Sequence, residues 1–185
     1  MARYVIDPRA SRFTARAFAG GALSAIGHNP SFAIRDVRGE VELDAEGGRE
    51  ASLNLTVKAE SLALTDNVSD KDRQELERAM REDVLETSRF PEIVYASPAD
   101  KATVTKTGEG QFQVRMNGDL SLHGETRSHP VIANVFVAGD LLRGSAETSL
   151  RQSDFGIKLV SAVGGMLKVK EEVKLTFDFV ARKQD

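Results

Sequence analysis

Histidines are the residues of this chain best suited to metal binding or acid–base chemistry, because the sequence contains no cysteine. Imidazole nitrogens bind zinc, copper and haem iron, and they titrate near neutral pH. The three histidines are His28, His123 and His129. Strand alternation places His123 on a solvent-facing side and His129 on an apolar side, so this pair predicts no shared metal site. A metal- or haem-dependent redox or other enzyme that uses His28 or His123 stays open as an alternative function.

Other catalytic signatures are absent from the sequence. There is no phosphate-binding Walker loop, dinucleotide fingerprint, nucleophile elbow or His-Glu-x-x-His helix. Asp154-Phe155-Gly156 matches the magnesium-binding triplet of kinases, but no glycine-rich loop or catalytic loop accompanies it. Without cysteine there is no disulfide and no thiolate nucleophile. We therefore predict no catalytic residue, no metal, no cofactor and no enzymatic activity.

Composition narrows the class of partner. The chain has 185 residues, a net charge of -3, 41% hydrophobic and 29% charged residues, and no basic run, which argues against nucleic-acid binding. No window reaches the ~18 apolar residues of a membrane-spanning helix. Residues 1–7 lack the features of a secretory signal, which predicts a cytoplasmic protein, or a periplasmic one if a signal preceded this sequence. The length predicts a single domain over 1–185.

The elements that would hold any site are mostly strands with strict alternation of apolar and polar residues. The clearest are residues 11–16, 40–44, 51–59, 111–122 and 173–179. Glycine-containing turns at 45–48, 107–110, 123–126 and 138–140 separate strands, which predicts sequential antiparallel hairpins. Parity assigns to the interior Phe13, Val41, Leu43, Leu53, Leu55, Val57, Phe112, Val114, Met116, Leu120, Val173, Leu175, Phe177 and Phe179.

One segment follows helical periodicity instead. Leu76, Met80 and Val84 recur at i, i+4 and i+8, which predicts an amphipathic helix at about 70–85 capped by Ser69. Its charged residues are expected on a solvated outer face and its apolar stripe over one end of the sheet. Many strands and one helix favour a sandwich or a closed barrel, and closure removes unpaired edges.

Seven short motifs, in order, resemble one known family. They are Tyr4-x-Ile6-Asp7, Ile26-Gly27-His28, Arg38-Gly39-Glu40-Val41, Ala59-Glu60-Ser61-Leu62, Phe90-Pro91-Glu92-Ile93-x-Tyr95-x-Ser97, Asn117-Gly118-x-Leu120-x-Leu122-x-Gly124-x-Thr126-Arg127 and Arg151-x-x-Asp154-Phe155-Gly156-Ile157. The chain resembles the YceI family of polyisoprenoid-binding, lipocalin-like proteins from about residue 4 to residue 181. The resemblance implies an all-β, extended eight-stranded antiparallel barrel beside one helix.

The resemblance also implies that the interior holds an isoprenoid chain, such as a quinone or a polyprenyl phosphate, or another fatty-acid-like amphiphile, without covalent chemistry. Expected lining residues are Phe13, Phe32, Leu53, Leu55, Val57, Met80, Phe90, Tyr95, Phe112, Val114, Met116, Leu120, Phe155, Ile157 and Phe177. Lys158 and Lys168 are candidates for contact with a polar head group. The resemblance implies a role as a carrier, a store or a stress-related factor.

Several alternatives remain from the residues alone. The interior is either filled by its own side chains or left open for a ligand. A filled barrel would be an interaction module whose partner surface is the charged helix, with Arg78 and Arg81. The identity of the lipid, the open end of the barrel and the oligomeric state, including a homodimer, also stay open.

Overall fold

A computed structural model describes residues 1–20, 29–46, 48–159, 161–162 and 167–184. Its strands are β1 Ala2–Ile6, β2 Arg12–Gly20, β3 Ser31–Ile34, β4 Val37–Leu43, β5 Ala51–Lys58, β6 Leu62–Leu64, β7 Glu92–Ser97, β8 Ala102–Gly108, β9 Gln111–Leu122, β10 Glu125–Ala138, β11 Leu141–Arg151, β12 Ser161–Ala162 and β13 Leu167–Gln184. The single α-helix among these residues is α1, Asp70–Ala79, and a π-helical turn, Met80–Val84, continues it.

The strands form a closed antiparallel barrel, as predicted. Neighbours in the barrel follow one another along the chain in the order β1, β4, β5, β7, β9, β10, β11 and β13, and β13 returns to β1 through Ile6 opposite Ala181. Strands β2, β3 and β6 extend the wall beyond β1, β4 and β5, with β2 also pairing with β13. Sequential pairing of this kind is what the glycine turns predicted.

The inward faces carry the alternation that the sequence shows. Along β9 the buried residues are Phe112, Val114, Met116, Gly118, Leu120 and Leu122, and the residues between them are exposed or half-buried. Phe13 on β2 and Phe177 on β13 stand directly opposite each other, with ring centroids 5.7 Å apart. Apolar burial on one side of every long strand is the main source of the barrel's stability.

The wall opens between β10 and β11, where the ladder is shorter than the two strands. The ladder between them joins Ala133–Ala138 to Leu141–Ala146 and ends there. Beyond it, β10 pairs only with β9, and β11 only with β13. A 3-10 turn at Gln152–Phe155 lies beside this seam, where its Asp154 carbonyl accepts from Arg127 Nε on β10 at 3.0 Å.

Helix α1 covers the free edge of β6. Ser69 caps it as predicted, since its side chain accepts from the Asp72 amide. Glu77 Oε1 accepts from the Leu64 amide at 2.9 Å, and Arg73 donates to the carbonyls of Leu64 and Asp66. The helix therefore supplies the hydrogen bonds that a neighbouring strand would make.

This role corrects two predictions about the helix. Arg73 and Glu77 face β6 rather than forming part of a fully solvated outer face, whereas Leu76 is 40% exposed. Met80, at 6% exposure, and Val84 do pack onto the barrel. The helix is oriented so that Arg73 and Glu77 reach the backbone of β6. This orientation is favoured because an unpaired buried amide or carbonyl costs more free energy than one exposed leucine.

Candidate functional site

The barrel encloses an apolar cavity. Its volume is about 220 Å3, and 36 of the described residues line it. A single ordered water needs roughly 10–15 Å3 of such space, so the interior is far from filled by its own side chains. Tyr4, Phe112, Leu142 and Ala181 are almost fully buried outside this lining, at the end where β10 turns into β11. That end of the barrel is packed, and the cavity extends toward the end that carries α1.

Most of the expected lining residues face the cavity. They are Phe13, Phe32, Leu53, Leu55, Val57, Met80, Tyr95, Val114, Met116, Leu120, Ile157 and Phe177. The parity set adds Val41, Leu43, Val173, Leu175 and Phe179, which also line it. Contact of these residues with a ligand remains a prediction.

Three expected lining residues lie elsewhere. Phe112 belongs to the packed end and is 2% exposed. Phe155 is buried in the 3-10 turn, outside the cavity wall. Phe90 packs against the ring of His123, with centroids 4.6 Å apart. Phe112 and Phe155 are buried, whereas Phe90 is half-buried. Hydrophobicity and strand parity do not specify which part of the interior a side chain enters.

Several lining residues were missed at the sequence level. They include Val131, Ala133 and Val135 on β10, Ala146, Thr148, Leu150 and Gln152 at the β11 side of the seam, and Val84 and Leu85 after the helix. The alternation of β10 carried a usable signal. The sequence of β11 shows no clear alternation, because small and polar residues occupy several of its inward positions.

Of the two candidate head-group lysines, the structure describes the side chain of Lys158 but not that of Lys168. Lys158 is exposed and directly follows Ile157, which lines the cavity. Lys168 pairs through its backbone with Gly20 on β2. Its side chain lies outside the described residues, as does His28. Head-group contact by either lysine stays a prediction.

The polar residues in the wall are hydrogen-bonded. Tyr95 donates its hydroxyl to the His129 carbonyl at 3.1 Å and accepts from the Gly118 amide at 3.2 Å. His129 Nε2 lies 3.1 Å from Thr148 Oγ1, across the seam between β10 and β11. Burial disfavours the charged form of each side chain, so it raises the pKa of Tyr95 and lowers the pKa of His129. Both side chains are therefore uncharged at neutral pH.

His123 departs from its predicted position. Its side chain is only 11% exposed, and its two ring nitrogens lie 2.7 Å from Glu86 Oε2 and 3.1 Å from the Phe155 carbonyl. The positive φ of 53° at this turn residue ends the strand alternation and swings the ring off the solvent face. Hydrogen bonds from His123 and Arg89 lower the pKa of Glu86. These contacts tie the segment after α1 to the 3-10 turn beside the seam.

The alternative of a metal centre gains no support from these contacts. Both nitrogens of His123 already face protein acceptors. Among the residues that the structure describes, no group of three or more histidine, aspartate or glutamate side chains is arranged to hold a metal ion. Within the same residues, no helix is long and apolar enough to span a bilayer.

Comparison with known proteins identifies the family. The model of the YceI-like domain matches residues 4–181. A UPF0312 protein of Pseudomonas syringae pv. tomato is 28% identical over an alignment of 193 positions, gaps included, which covers 98% of this chain and 88% of that protein.

Solved structures share the fold. A polyisoprenoid binding domain from Saccharophagus degradans, implicated in plant cell wall breakdown, is similar with a TM-score of 0.72 and 13% identity, covering 100% of both chains. Burkholderia cenocepacia BcnA has a TM-score of 0.69 and 16% identity, covering 95% of this chain and 98% of BcnA. This chain therefore belongs to the YceI-like domain family.

Proposed function

We propose that the protein binds one long apolar molecule, an isoprenoid chain or a similar lipid, inside the barrel and performs no covalent chemistry. The observation that carries the proposal is the apolar cavity of about 220 Å3 inside a closed barrel. The similarity to a domain that is described as polyisoprenoid-binding supports the choice of ligand. A carrier or store, active in transport or in a stress response, fits such a site.

The energetics favour a long tail over a compact ligand. Each methylene transferred from water into the cavity contributes about 0.8 kcal/mol. Association itself costs about 4–15 kcal/mol in lost freedom, so about 5–19 buried methylenes are needed to offset that cost before any net affinity appears. An extended isoprenoid meets this requirement with few polar contacts.

The proposal is tested by extracting the purified protein with organic solvent and analysing the extract by mass spectrometry. Val114→Trp places an indole in the cavity wall, and Arg115→Trp places the same group on the exposed face of the same strand. We expect about one lipid per chain in the wild type and in Arg115→Trp, and less than a tenth of that in Val114→Trp.

Circular dichroism serves as the folding control, since overpacking costs about 1–3 kcal/mol and should leave the barrel intact. A wild-type protein that yields no lipid and takes up no added prenol contradicts the proposal. So does a folded Val114→Trp variant that retains its lipid in full.

A further inference from the structure

The cavity wall carries no charge within the described part of the chain. None of its residues is a lysine, arginine, aspartate or glutamate. A phosphate or carboxylate drawn into this wall would lose its hydration and meet no countercharge, which strongly disfavours its burial. The enclosed part of any ligand is therefore restricted to neutral groups.

The wall is not uniformly apolar, and most of its polar groups concentrate at the seam between β10 and β11. His129 lies on the β10 side, and Thr148 and Gln152 lie on the β11 side. The other two polar wall residues are engaged elsewhere. Ser52 donates to Glu42 at 3.2 Å, and the Tyr95 hydroxyl both donates to and accepts from the backbone.

The seam residues retain unused hydrogen-bonding capacity. Gln152 donates through Nε2 to the Lys170 carbonyl at 2.9 Å, and its Oε1 has no partner in the described residues. Among the described residues, the side chains of His129 and Thr148 hydrogen-bond only to each other. A threonine hydroxyl can donate one bond and accept two, and a neutral imidazole has one donor and one acceptor nitrogen.

The His129–Thr148 pair keeps one polar hydrogen free in either tautomer. If His129 Nε2 carries the proton and donates to Thr148, the threonine hydroxyl hydrogen is left over. If Thr148 donates to Nε2, the proton sits on Nδ1 and is left over instead. Burial lowers the pKa of His129, so this remaining donor belongs to an uncharged pair at neutral pH.

We propose that His129 and Thr148 form a neutral polar subsite that donates a hydrogen bond to a hydroxyl or carbonyl oxygen of the enclosed lipid. The barrel then selects uncharged prenyl lipids, such as prenols or quinones, over prenyl phosphates. This inference rests on the proposed function and deepens it by assigning the chemistry of the head group.

Three probes with one C15 tail separate the possibilities: farnesol, the hydrocarbon farnesene and farnesyl monophosphate. Each is titrated into delipidated protein loaded with the neutral dye N-phenyl-1-naphthylamine, and its dissociation constant is taken from the loss of dye fluorescence. We expect farnesol to bind about three- to tenfold more tightly than farnesene, as one additional hydrogen bond provides. Farnesyl monophosphate is expected to bind most weakly.

Because either side chain can supply the free hydrogen, the test variant is the double substitution His129→Phe/Thr148→Val, which removes both donors. It should weaken farnesol binding about three- to tenfold and leave farnesene binding unchanged. Thr126→Val is the matched control, because it removes a hydroxyl from an exposed position on β10, where Thr126 Oγ1 lies 2.7 Å from Ser121 Oγ. That control should bind all three probes as the wild type does.

The outcomes distinguish this subsite from lipid binding itself. Equal affinities for farnesol and farnesene, no effect of the double substitution on farnesol binding, or farnesyl monophosphate bound as tightly as farnesol each overturn the subsite while lipid binding stands. If none of the three probes displaces the dye from wild-type protein, the proposed function fails as well.

Discussion

Two histidines six positions apart show how local backbone geometry decides the environment of a side chain. His129 keeps the alternation of β10 and faces the cavity, whereas His123 has a φ of 53° and reaches Glu86, whose own φ is 45°. These are the two non-glycine residues with positive φ in the described chain. Such a conformation costs about 1–3 kcal/mol, and the 2.7 Å hydrogen bond between His123 and Glu86 offsets part of that cost. The sequence pattern does not predict these two backbone conformations.

The environment of His129 predicts a pH dependence of stability. Burial lowers its pKa below the ordinary value of 6.5, so at pH values below about 6.5 the unfolded chain binds a proton that the folded chain does not. Keeping His129 neutral therefore costs no unfolding free energy at pH values above about 6.5. Below about 6.5, the unfolding free energy decreases as the pH falls. In urea titrations from pH 7.5 to 5, we expect wild-type protein to lose more unfolding free energy than His129→Gln.

The substitution keeps a polar side chain of similar reach, which limits changes in packing. Parallel curves of unfolding free energy against pH for the two proteins would contradict a buried, neutral His129. Because many carboxylates titrate in both proteins alike, only the difference between the curves is informative.

At the scale of the elements, local patterns were reliable wherever one face is buried and the other solvated. Ser69 and the acidic first turn located the start of α1, and alternation located β9 and its inward face. The orientation of α1 was not predictable from its own residues, since it depends on the edge of β6 that Glu77 completes. The inward face of β11 was not predictable for a different reason. Its inward residues Gly144, Ala146 and Thr148 differ too little in hydrophobicity from their outward neighbours.

Two hairpin turns allow backbone strain to be separated from packing. Gly124, between β9 and β10, has a φ of 79°, and a Cβ there would lie 2.6 Å from the Phe90 ring. Gly139, between β10 and β11, has a φ of 58° and no atom within 4 Å of such a Cβ. We expect Gly139→Ala to lower the unfolding free energy by about 1 kcal/mol, from strain alone.

Gly124→Ala should lower the unfolding free energy by at least about 2 kcal/mol, because overpacking against Phe90 adds to the same backbone strain. It also forces Phe90 away from His123. Urea denaturation of the two variants measures both values. Equal losses would show that the Phe90 ring yields freely and that its contact with His123 contributes little.

On the scale of the whole molecule, the barrel is asymmetric along its axis. Tyr4, Phe112 and Leu142 pack one end, while Met80, Leu85 and Ile157 line the cavity near the other. Strand parity identifies the side chains that point inward but contains no information about their height along the axis. For that reason the interior set was largely predictable from sequence, whereas the polar seam was not, because it depends on where the ladder between β10 and β11 ends.

Ligand binding should stabilise the entire barrel, because residues from nearly every strand line one cavity. A ligand that binds only the folded state at 100 times its dissociation constant adds about 2.7 kcal/mol to the unfolding free energy. For a chain of 185 residues this corresponds to a rise in Tm of roughly 5–10 °C. We expect differential scanning calorimetry of delipidated protein to show such a rise with farnesol for the wild type and Arg115→Trp, and almost none for Val114→Trp. Because both variants introduce the same indole on one strand, an equal rise in all three proteins would place the bound lipid on the outer surface rather than within the barrel.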